Sequence, residues 1–457
     1  MGAKRPLKVH CVFGTRPEAI KMAPVVKALE SRPGAFSCSV VVTAQHRGLL
    51  DQVLELFDIK PDVDLDIMRP DQSLSDVVVH ALKGLEEAFA AARPDVVLVH
   101  GDTTTTFVAS LAAFYQRIPV GHVEAGLRTN DKAQPFPEEI NRRLTSVLAD
   151  LHFAPTGLGR DNLLREGVDS ERVFVTGNTV VDALLSVVRR NPGYQFREPR
   201  LAGLFDGRRR GGAERGAAAQ GAAERGATEA PAGGGGPRVL LVTAHRRENF
   251  GQPLENICDA LLEITRRFPD TVVVYPVHPN PNVRAVVEPK LAGRERVLLL
   301  EPLEYEEMAH LMARSYLLLT DSGGLQEEAP GLKRPVLVLR EVTERPEGVE
   351  AGTLRVVGTD RDRIVATAAG LLEDEALYRR MSEAPNPYGD GRAAGRIAAA
   401  LAFWFGAGQD SGSGNVGGDS RDGGGGRAGG AARGGCERPE DYDYRHNGRS
   451  RSAHGNH

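Results

Sequence analysis

The fold is decided by residues 316–348, which read YLLLTDSGGLQEEAPGLKRPVLVLREVTERPEG. The stretch opens with an apolar run, Tyr316 to Leu319, of the kind that a strand buried on both faces shows. A polar pair ends the run, and Ser322 is then well placed to cap a helix that begins at Gly323. The pattern predicts a buried strand followed directly by a glycine-led helix, as in a parallel α/β sheet.

The same stretch suggests a nucleotide site. Gly323 and Gly324 let the backbone approach a ligand, and the free N–H groups at a helix start attract phosphate. Glu328 lies about two turns further along, where a carboxylate could accept hydrogen bonds from a ribose diol. A second apolar strand, from Pro335 to Leu339, is followed by Arg345 at the same edge. A capped helix of any α/β protein would also begin with Ser-Gly-Gly, so the rest of the chain has to decide.

Length and composition bound the class of protein. The chain has 457 residues, 41% hydrophobic and 26% charged, which is typical of a globular protein with two or three domains. The net charge of -4 gives no sign of a nucleic-acid partner. Since no run of 18 apolar residues occurs and the strand pattern starts by Leu7, we expect neither a membrane partner nor a signal peptide. Four scattered cysteines indicate reduced thiols and a cytoplasmic protein.

Apolar strands alternate with amphipathic helices from Lys8 to about Val357, which predicts an α/β fold with parallel sheets. The predicted strands lie near 8–13, 38–43, 95–100, 118–123, 172–175, 238–243, 271–275, 296–300, 316–320 and 335–339. The predicted helices of the first half lie near 17–30, 47–57, 74–92, 105–116, 138–149 and 179–190. Because the strand pattern restarts after residue 190, we predict two Rossmann-like domains with a central cleft.

Two segments contain almost no large apolar side chains. Residues 207–236 are rich in Gly, Ala and Arg, and residues 407–457 are rich in Gly and polar side chains. Such segments cannot offset the entropy of ordering, so we predict a disordered insertion and a disordered tail. A basic RNA-binding arm is an alternative for the insertion, but interleaved Glu residues and missing aromatic residues argue against it.

Unusual polar residues follow nearly every predicted strand, where open α/β sheets bind their ligands. In chain order they are Arg16 and Lys21, Gln45, Asp102, Glu124, His245 and Arg246, His278, and Ser322 to Gly324. Each has an alternative explanation: Gly-Asp is often a helix cap, a lone His is often structural, and Glu138, Glu139 and Arg142 could be solvated i, i+4 partners. Their recurrence at six or seven strand ends predicts one cleft that holds anions, carboxylates and imidazole.

Cofactor motifs do not accompany these residues. No GxGxxG follows a strand and no GxxxxGK[ST] occurs, which argues against a nicotinamide cofactor and against an NTPase. Zinc-ligand spacing is also missing, and the Asp/Thr cluster at 102–106 is a weak metal site. We therefore predict no cofactor and no metal, and a phosphorylated substrate handled by general acid/base groups.

The chain resembles the non-hydrolysing UDP-N-acetylglucosamine 2-epimerases, in order, over about residues 7–405 without 207–236. The matching stretches are GTRPEAIKMAPVV at 14–26, TAQHRGLLDQVL at 43–54, HGDTTTT at 100–106, GHVEAGLRT at 121–129, PFPEEINRRL at 135–144, VTGNTVVDAL at 175–184, TAHRRENFG at 243–251, TDSGGLQEEAP at 320–330, TERPEG at 343–348 and NPYGDGRAAGRIAAAL at 386–401. Together these motifs are highly specific, although GTRP or SGG alone would not be.

The resemblance implies a GT-B arrangement, with one domain formed by residues 1–177 and a returning helix at 388–406, and a UDP-binding domain at 178–387. It also implies a homodimer that interconverts UDP-N-acetylglucosamine and UDP-N-acetylmannosamine for surface polysaccharide synthesis. In this family UDP is eliminated in the anti sense to give bound 2-acetamidoglucal, and UDP then adds back with a proton on the other face of C2.

Site residues follow from the resemblance by motif match. The acid/base candidates are Asp102, Glu124 and Glu138, and which one serves which face of C2 stays open. The implied diphosphate ligands are Arg16, Lys21, Arg142 and His245, with His245 able to protonate the leaving oxygen. Ser322, Gly323 and Gly324 would bind phosphate, Glu328 ribose, Arg345 the substrate from the opposite wall, and Leu303 and Met308 uracil. Gln45, Arg246 and His278 fit a site for a second, activating nucleotide sugar, although Gly48 and Asp71 stand where larger or basic groups would help.

Other functions remain alternatives at this point. A GT-B glycosyltransferase would use the same UDP-sugar site but would need room for an acceptor. A 2-epimerase for a modified UDP-sugar, a hydrolysing relative that releases N-acetylmannosamine, and a non-catalytic nucleotide-sugar sensor are further variants. Product analysis with UDP-N-acetylglucosamine alone separates these functions.

Overall fold

The computed structural model describes residues 5–43, 47–69, 71–210 and 236–407. The first half forms a parallel sheet of seven strands in the order β3-β2-β1-β4-β5-β6-β7. Its strands are β1 (Leu7–Phe13), β2 (Phe36–Val42), β3 (Val63–Asp64), β4 (Val96–His100), β5 (Val120–Val123), β6 (Leu151–Ala154) and β7 (Val173–Val175). The helices between them are α1 (Arg16–Glu30), α2 (Arg47–Leu56), α3 (Leu74–Ala92), α4 (Thr104–Tyr115), α5 (Glu138–Leu148) and α6 (Gly157–Arg165).

Two helices, α7 (Thr179–Arg190) and α8 (Pro199–Arg210), precede a second parallel sheet of six strands in the order β10-β9-β8-β11-β12-β13. The strands are β8 (Arg238–Thr243), β9 (Thr271–Pro276), β10 (Val297–Leu300), β11 (Leu317–Thr320), β12 (Val336–Val338) and β13 (Leu354–Val356). The helices are α9 (Gln252–Arg267), α10 (Pro281–Leu291), α11 (Tyr305–Arg314), α12 (Gly323–Glu328), α13 (Pro346–Glu350), α14 (Arg361–Glu373), α15 (Glu375–Ser382) and α16 (Ala393–Phe405).

The central strands are buried on both faces, which explains why their sequences are continuous apolar runs. Every residue of β4 (VVLVH) and of β11 (LLLT) is buried. Helices cover both faces of such a sheet, since each parallel crossover has to pass over one face. The prediction of two parallel α/β sheets is therefore confirmed.

The chain passes between the two sheets twice, and the crossings lie together. α7 packs against α1 beside the first sheet and against α11 beside the second. α16 returns to pack on α1 and α7, and its first two backbone N–H groups, of Ala393 and Ala394, donate to the buried carboxylate of Asp182 on α7 at 3.1 and 2.9 Å. The carboxylate thus satisfies two donors that a helix start leaves unpaired. The domain boundaries given above stay a prediction.

Some sequence-based expectations differ from the structure. The short strands β3, β6 and β13 and the helix α6 were not predicted. α8 extends to Arg210, four residues into the segment predicted as a disordered insertion. Residues 211–235 and the tail from 408 lie outside the described residues. Within the described ranges, none of the helices combines the length and the apolar character that crossing a membrane requires.

Candidate active site

The candidate site lies where the strand order of each sheet reverses. β1 neighbours β4 in the first sheet, and β8 neighbours β11 in the second. The crevice outside the carboxyl ends of strands at such a point is the usual ligand site of open α/β sheets. A cavity of about 330 Å³ is lined from both halves of the chain, with Arg142, Asn178, Glu327 and Arg345 among its walls. A cavity is therefore present between the two halves of the chain, and Arg142 and Arg345 of the predicted site residues line it.

Glu124 follows β5 directly and sits in a tight turn. Its φ of +64° is left-handed, which is uncommon for a residue other than glycine and is found most often at functional positions. Gly126 has a φ of +90°, and a Cβ atom there would lie 2.1 Å from the carbonyl oxygen of Gly159. Because only glycine fits at Gly126, this turn fixes where the Glu124 side chain leaves the backbone.

Three groups surround one carboxylate oxygen, Oε2, of Glu124. Lys21 Nζ donates to it at 2.5 Å, Asn178 Nδ2 donates at 3.0 Å, and His100 Nε2 lies 3.5 Å away. Burial alone would raise the pKa of Glu124, but Lys21 and His100 more than offset burial and hold that pKa well below its usual range. Burial would likewise lower the pKa of Lys21, but Glu124 and Glu327 raise it. Both groups are charged at neutral pH, so Glu124 is in the deprotonated form that a general base requires.

Asp102 follows β4 and is held by Arg142 of α5. The Nε and Nη2 atoms of Arg142 both donate to Asp102 Oδ2, at 2.9 and 2.7 Å, and Nη1 donates to Glu139 at 3.1 Å. Asn141 donates to the Asp102 carbonyl oxygen at 3.0 Å. Since Arg142 lines the cavity, this network brings Asp102 to the same cleft as Asn178, the hydrogen-bond donor to Glu124.

The two glutamates that begin α5 have different surroundings. Glu139 is fully buried and accepts the backbone N–H groups of Thr129 and Asn130, so it is not the solvated partner that the spacing also allowed. Glu138 is half-buried, and its Oε2 atom has no hydrogen-bond partner among the described residues. Positions four apart share one face of a helix, so Glu138 lies beside Arg142. Glu138 therefore stays an acid/base candidate.

His245 follows β8 and lies against Asp321 and His278. Its Nδ1 atom is 3.4 Å from Asp321 Oδ1, and its ring stacks on the His278 ring with centroids 5.1 Å apart. The backbone N–H groups of His245 and Arg246 donate to Asp321 Oδ2 at 2.7 and 2.8 Å. Burial lowers the pKa of His245, and His278 and Arg246 add to this effect while Asp321 opposes it. The free imidazole is thus mostly neutral at pH 7, and an approaching diphosphate would favour its protonation.

The helix α12 begins at Gly323, as the sequence predicts, but Ser322 makes no side-chain capping bond. The Ser322 N–H donates instead to Thr320 Oγ1 at 2.9 Å, which holds Ser322 in place without its hydroxyl. The expectation of a serine side-chain cap is therefore wrong, because the threonine of the preceding strand already fixes the turn. Arg345 Nη2 lies 3.7 Å from where a Cβ atom of Gly323 would be, so the arginine faces the start of α12.

Two adjacent carboxylates of α12 point to different partners. Glu327 is buried and accepts hydrogen bonds from Arg345 Nε and, at 3.0 Å, from Asn178 Nδ2. Glu328 accepts from the Tyr305 hydroxyl at 3.3 Å. Burial and then Glu327 raise the pKa of Glu328 to about 7, although Lys21 and the Tyr305 hydroxyl act in the other direction. Glu328 thus changes its charge near neutral pH.

The remaining predicted ligands have the following positions. Burial and Glu328 raise the pKa of Tyr305 while the charge of Arg16 opposes them, which places Arg16 near α11. Leu303 and Met308 are half-buried and pack against the core. Gln45 lies outside the described residues, so the candidate activating site is represented by Arg246 and His278, both beside His245.

The backbone N–H groups at the start of α1 are already bound by a carboxylate. Glu18 accepts the N–H groups of Gly14 and Thr15 at 3.0 and 2.8 Å and forms a capping box with Thr15. The Thr103 and Thr106 hydroxyls also donate to Glu18. This carboxylate occupies N–H groups that a phosphate would need, because a capping glutamate three residues into the helix folds back onto them.

Sequence reasoning missed three buried residues of the site: His100, Asn178 and Glu327. Asn178 also follows a strand end, so the rule that found Glu124 could have found it. His100 directly precedes Gly101-Asp102, and Glu327 directly precedes Glu328. Nothing in the neighbouring sequence distinguishes either residue from a structural one. Within the described ranges, no group of three His, Cys, Asp or Glu side chains could hold a metal ion.

The fold and the site together define a two-domain enzyme of the GT-B arrangement, with a cleft suited to an anionic sugar nucleotide. Comparison with known proteins is more specific. A family model described as UDP-N-acetylglucosamine 2-epimerase matches residues 27–402. The chain belongs to this UDP-N-acetylglucosamine 2-epimerase family.

Individual relatives agree with the family. The chain is 53% identical to the UDP-N-acetylglucosamine 2-epimerase of Salmonella typhimurium over 86% of this chain and 98% of that protein. It is 51% identical to the enzyme of the same name from Bacillus subtilis over 88% of this chain and 97% of that protein. A crystal structure of the Neisseria meningitidis UDP-GlcNAc 2-epimerase bound to UDP-GlcNAc is similar with a TM-score of 0.71 and 46% identity, and covers 86% of this chain and 99% of that one.

Proposed function

We propose that the protein catalyses cofactor-independent epimerisation at C2 of UDP-N-acetylglucosamine to UDP-N-acetylmannosamine, by elimination and re-addition of UDP. The observation that carries this proposal is the buried, ionised carboxylate of Glu124, held in the cleft by Lys21 and Asn178. The C2 proton of the sugar is not acidic, and an aligned carboxylate base contributes typically about 10²–10⁴ in rate. Family membership supports the same activity.

The charges of the cleft fit the leaving group. Cleavage of the C1–O bond develops negative charge on the diphosphate, which fixed cations and helix N–H groups stabilise. We assign Arg16, Arg345 and the start of α12 to the diphosphate, with His245 able to protonate the leaving oxygen. Lys21 and Arg142, for which the family resemblance also implied a diphosphate role, contact Glu124 and Asp102 in the free protein. Each of these two cations would therefore be shared between a carboxylate and the substrate.

Product analysis tests the proposal. Purified protein is incubated with UDP-N-acetylglucosamine in D₂O, without an acceptor, and followed by ¹H NMR. Appearance of a second UDP-sugar with deuterium at C2 is the expected result. Free N-acetylmannosamine with UDP would identify a hydrolysing relative, and no change would favour a glycosyltransferase or a sensor. Parallel incubation with UDP-sugars that carry further acetamido or carboxylate groups tests the modified-substrate alternative.

Glu328→Gln is expected to remove a pH dependence of substrate binding near pH 7. The ionised carboxylate accepts ribose hydroxyls better than the protonated one, so wild-type affinity should rise about three- to tenfold from pH 6 to 8 as Glu328 loses its proton. Calorimetry with UDP-N-acetylglucosamine in a Glu124→Gln background measures this affinity without net epimerisation. An unchanged slope in the Glu328→Gln protein would contradict the ribose assignment.

We propose that the protein forms a homodimer through the outer face of α3, α4 and α5, three helices that contact each other in succession. Monomeric proteins rarely leave such large apolar groups exposed together. The large apolar side chains that these three helices leave exposed are Leu74, Val79, Phe114, Tyr115, Ile140, Leu144 and Val147. A second copy of the chain offers the matching surface, because a twofold interface pairs the same patch with itself.

Val147→Asp is expected to weaken the dimer by about tenfold or more, because each copy would bury an aspartate in an apolar contact. Val147 is 83% exposed in the single chain, and Val342, which is 74% exposed near the second sheet, provides a matched control. Sedimentation equilibrium of both aspartate variants measures the effect. A monomeric wild type, or equal dissociation of both variants, would contradict the proposed face.

We place the reaction in the cytoplasm, as a source of UDP-N-acetylmannosamine for surface polysaccharide synthesis. The reduced-thiol interpretation of the sequence supports this location, since Cys11, Cys38 and Cys258 are all free. Activation by a second nucleotide sugar stays a prediction. Arg246 and His278 would bring such a ligand directly against His245.

A further inference from the structure

Asn178 joins the two halves of the cleft through its side-chain amide. Its Nδ2 group donates at 3.0 Å to Glu124 Oε2, beside the first sheet, and at 3.0 Å to Glu327 Oε2, beside the second. Its Oδ1 atom accepts the Val180 N–H at 3.0 Å and so caps α7. The side chain is almost fully buried, at 2% exposure. Both donors and the acceptor of the amide are therefore used.

The orientation of this amide is fixed by its surroundings. A flipped amide would place Oδ1 against the carboxylates of Glu124 and Glu327 and would leave the Val180 N–H without its acceptor. Two carboxylates beside an amide oxygen repel it, and a lost cap costs further stability. The α7 cap thus forces the two N–H bonds of Asn178 to face the carboxylates.

Asn178 also lies where the chain crosses between the sheets. Its backbone N–H donates to the Tyr388 carbonyl oxygen of the returning crossing at 2.7 Å. Gly177 before it has a φ of +91°, and a Cβ atom there would lie 3.3 Å from Gly389 Cα. Such a close approach suits only glycine, so the two crossings touch at this point. A change in the relative position of the sheets would therefore alter the bonds of Asn178.

The second carboxylate of the bridge is tied to the opposite wall of the cleft. Glu327 forms its ion pair with Arg345, which faces the start of α12. A continuous chain of contacts therefore runs from Arg345 through Glu327 and Asn178 to Glu124. The charged or titratable groups that face this bridge are Lys21 from α1, His100 from β4, Glu124 after β5, Glu327 and Glu328 from α12, Arg345 before α13 and Tyr388 of the returning crossing.

We propose that Asn178 is a positioning residue that holds Glu124 in its reactive place only while the two sheets keep this arrangement, with Glu327 as its anchor on the second sheet. The bridge couples the position of Arg345, which the diphosphate would contact, to the base that would act on the sugar. This inference rests on the proposed epimerase function for its catalytic consequence, while the bridge itself can be tested without activity.

Asn178→Asp is the informative variant, because aspartate keeps the cap on α7 but cannot donate to either carboxylate. We expect kcat to fall by about 10- to 100-fold, and the acidic limb of the pH profile of kcat/KM to move up by about one pH unit as Glu124 loses a donor and gains a negative neighbour. Asp360→Asn makes the reverse exchange at the exposed N-cap of α14, away from the cleft, and should change neither quantity.

Thermal unfolding provides a test that does not need activity. The two neighbouring carboxylates, Glu124 and Glu327, should raise the pKa of an aspartate at position 178 well above its usual value. Because that aspartate gains a proton as the pH falls, the difference in melting temperature between wild type and Asn178→Asp should narrow from pH 8 to pH 5. The gap for Asp360→Asn should stay constant over this range. If wild type lacks epimerase activity but the gap narrows, the bridge stands and the proposed function fails. Wild-type kcat and pH profile in Asn178→Asp, or a gap independent of pH, would overturn the positioning role.

Discussion

Exchange of Glu124 for glutamine is expected to lower kcat for epimerisation of UDP-N-acetylglucosamine by about 10²–10⁴-fold. Glutamine has nearly the same shape but cannot accept a proton from C2. The native carboxylate is able to do so at neutral pH, because Lys21 and His100 outweigh its burial and keep its pKa low. Chromatography of the UDP-sugars formed over time measures the change.

A surface carboxylate serves as the control for this exchange. Glu373 also forms an ion pair, with Arg267 at 2.7 Å, but its side chain is 53% exposed and lies far from the cleft on α14. Glu373→Gln should keep the wild-type kcat. A Glu124→Gln protein that unfolds at the wild-type temperature and retains full turnover would remove Glu124 from the chemistry.

The strands buried on both faces could be predicted from the sequence, because their apolar runs leave no other interpretation. β8 was predicted with its observed bounds, and β4 and β11 within one residue. The missed elements lack such a run. β3 has two residues, β13 has three with Arg355 in the middle, and α6 begins with glycine and has another two positions later.

The position of the site could be predicted because it depends on strand ends, whereas the order of the strands could not. Residues that follow a strand, such as Asp102, Glu124 and His245, became candidates for this reason. Partners across the cleft were not found. Asn178 lies 54 residues from Glu124 and 149 from Glu327 along the chain, so no local pattern relates them.

The roles of the cations show a second limit of sequence reasoning. A lysine or an arginine near a phosphate site is expected to bind phosphate, but its charge does not say which anion it will neutralise. Lys21 contacts Glu124 and Arg142 contacts Asp102, and both carboxylates belong to the same cleft. An ion pair of this kind keeps a carboxylate ionised, which is the state that a base needs.

Asp102→Asn is expected to lower the rate of epimerisation by the same factor of about 10²–10⁴. Reversible elimination of UDP from one of the two epimers should nevertheless continue. The C2 protons of the two epimers lie on opposite faces of the sugar. If Asp102 and Glu124 serve these two faces, each variant still eliminates UDP from the epimer whose proton meets the remaining base. When UDP adds back at C1, the same base delivers a deuteron from D₂O to the same face of C2, so that epimer becomes labelled.

The two variants should therefore label opposite substrates. Asp102→Asn and Glu124→Gln are each incubated in D₂O with UDP-N-acetylglucosamine and, separately, with UDP-N-acetylmannosamine, and deuterium at C2 is read by mass spectrometry. We expect each variant to exchange one UDP-sugar and to leave the other unlabelled. Asp102 carries 27% of its side-chain surface exposed beside Arg142, enough for its proton to exchange with solvent. If both variants label the same epimer, neither Asp102 nor Glu124 is the base that acts on its C2 proton. That role would then be assigned to Glu138, whose buried Oε2 atom has no partner among the described residues.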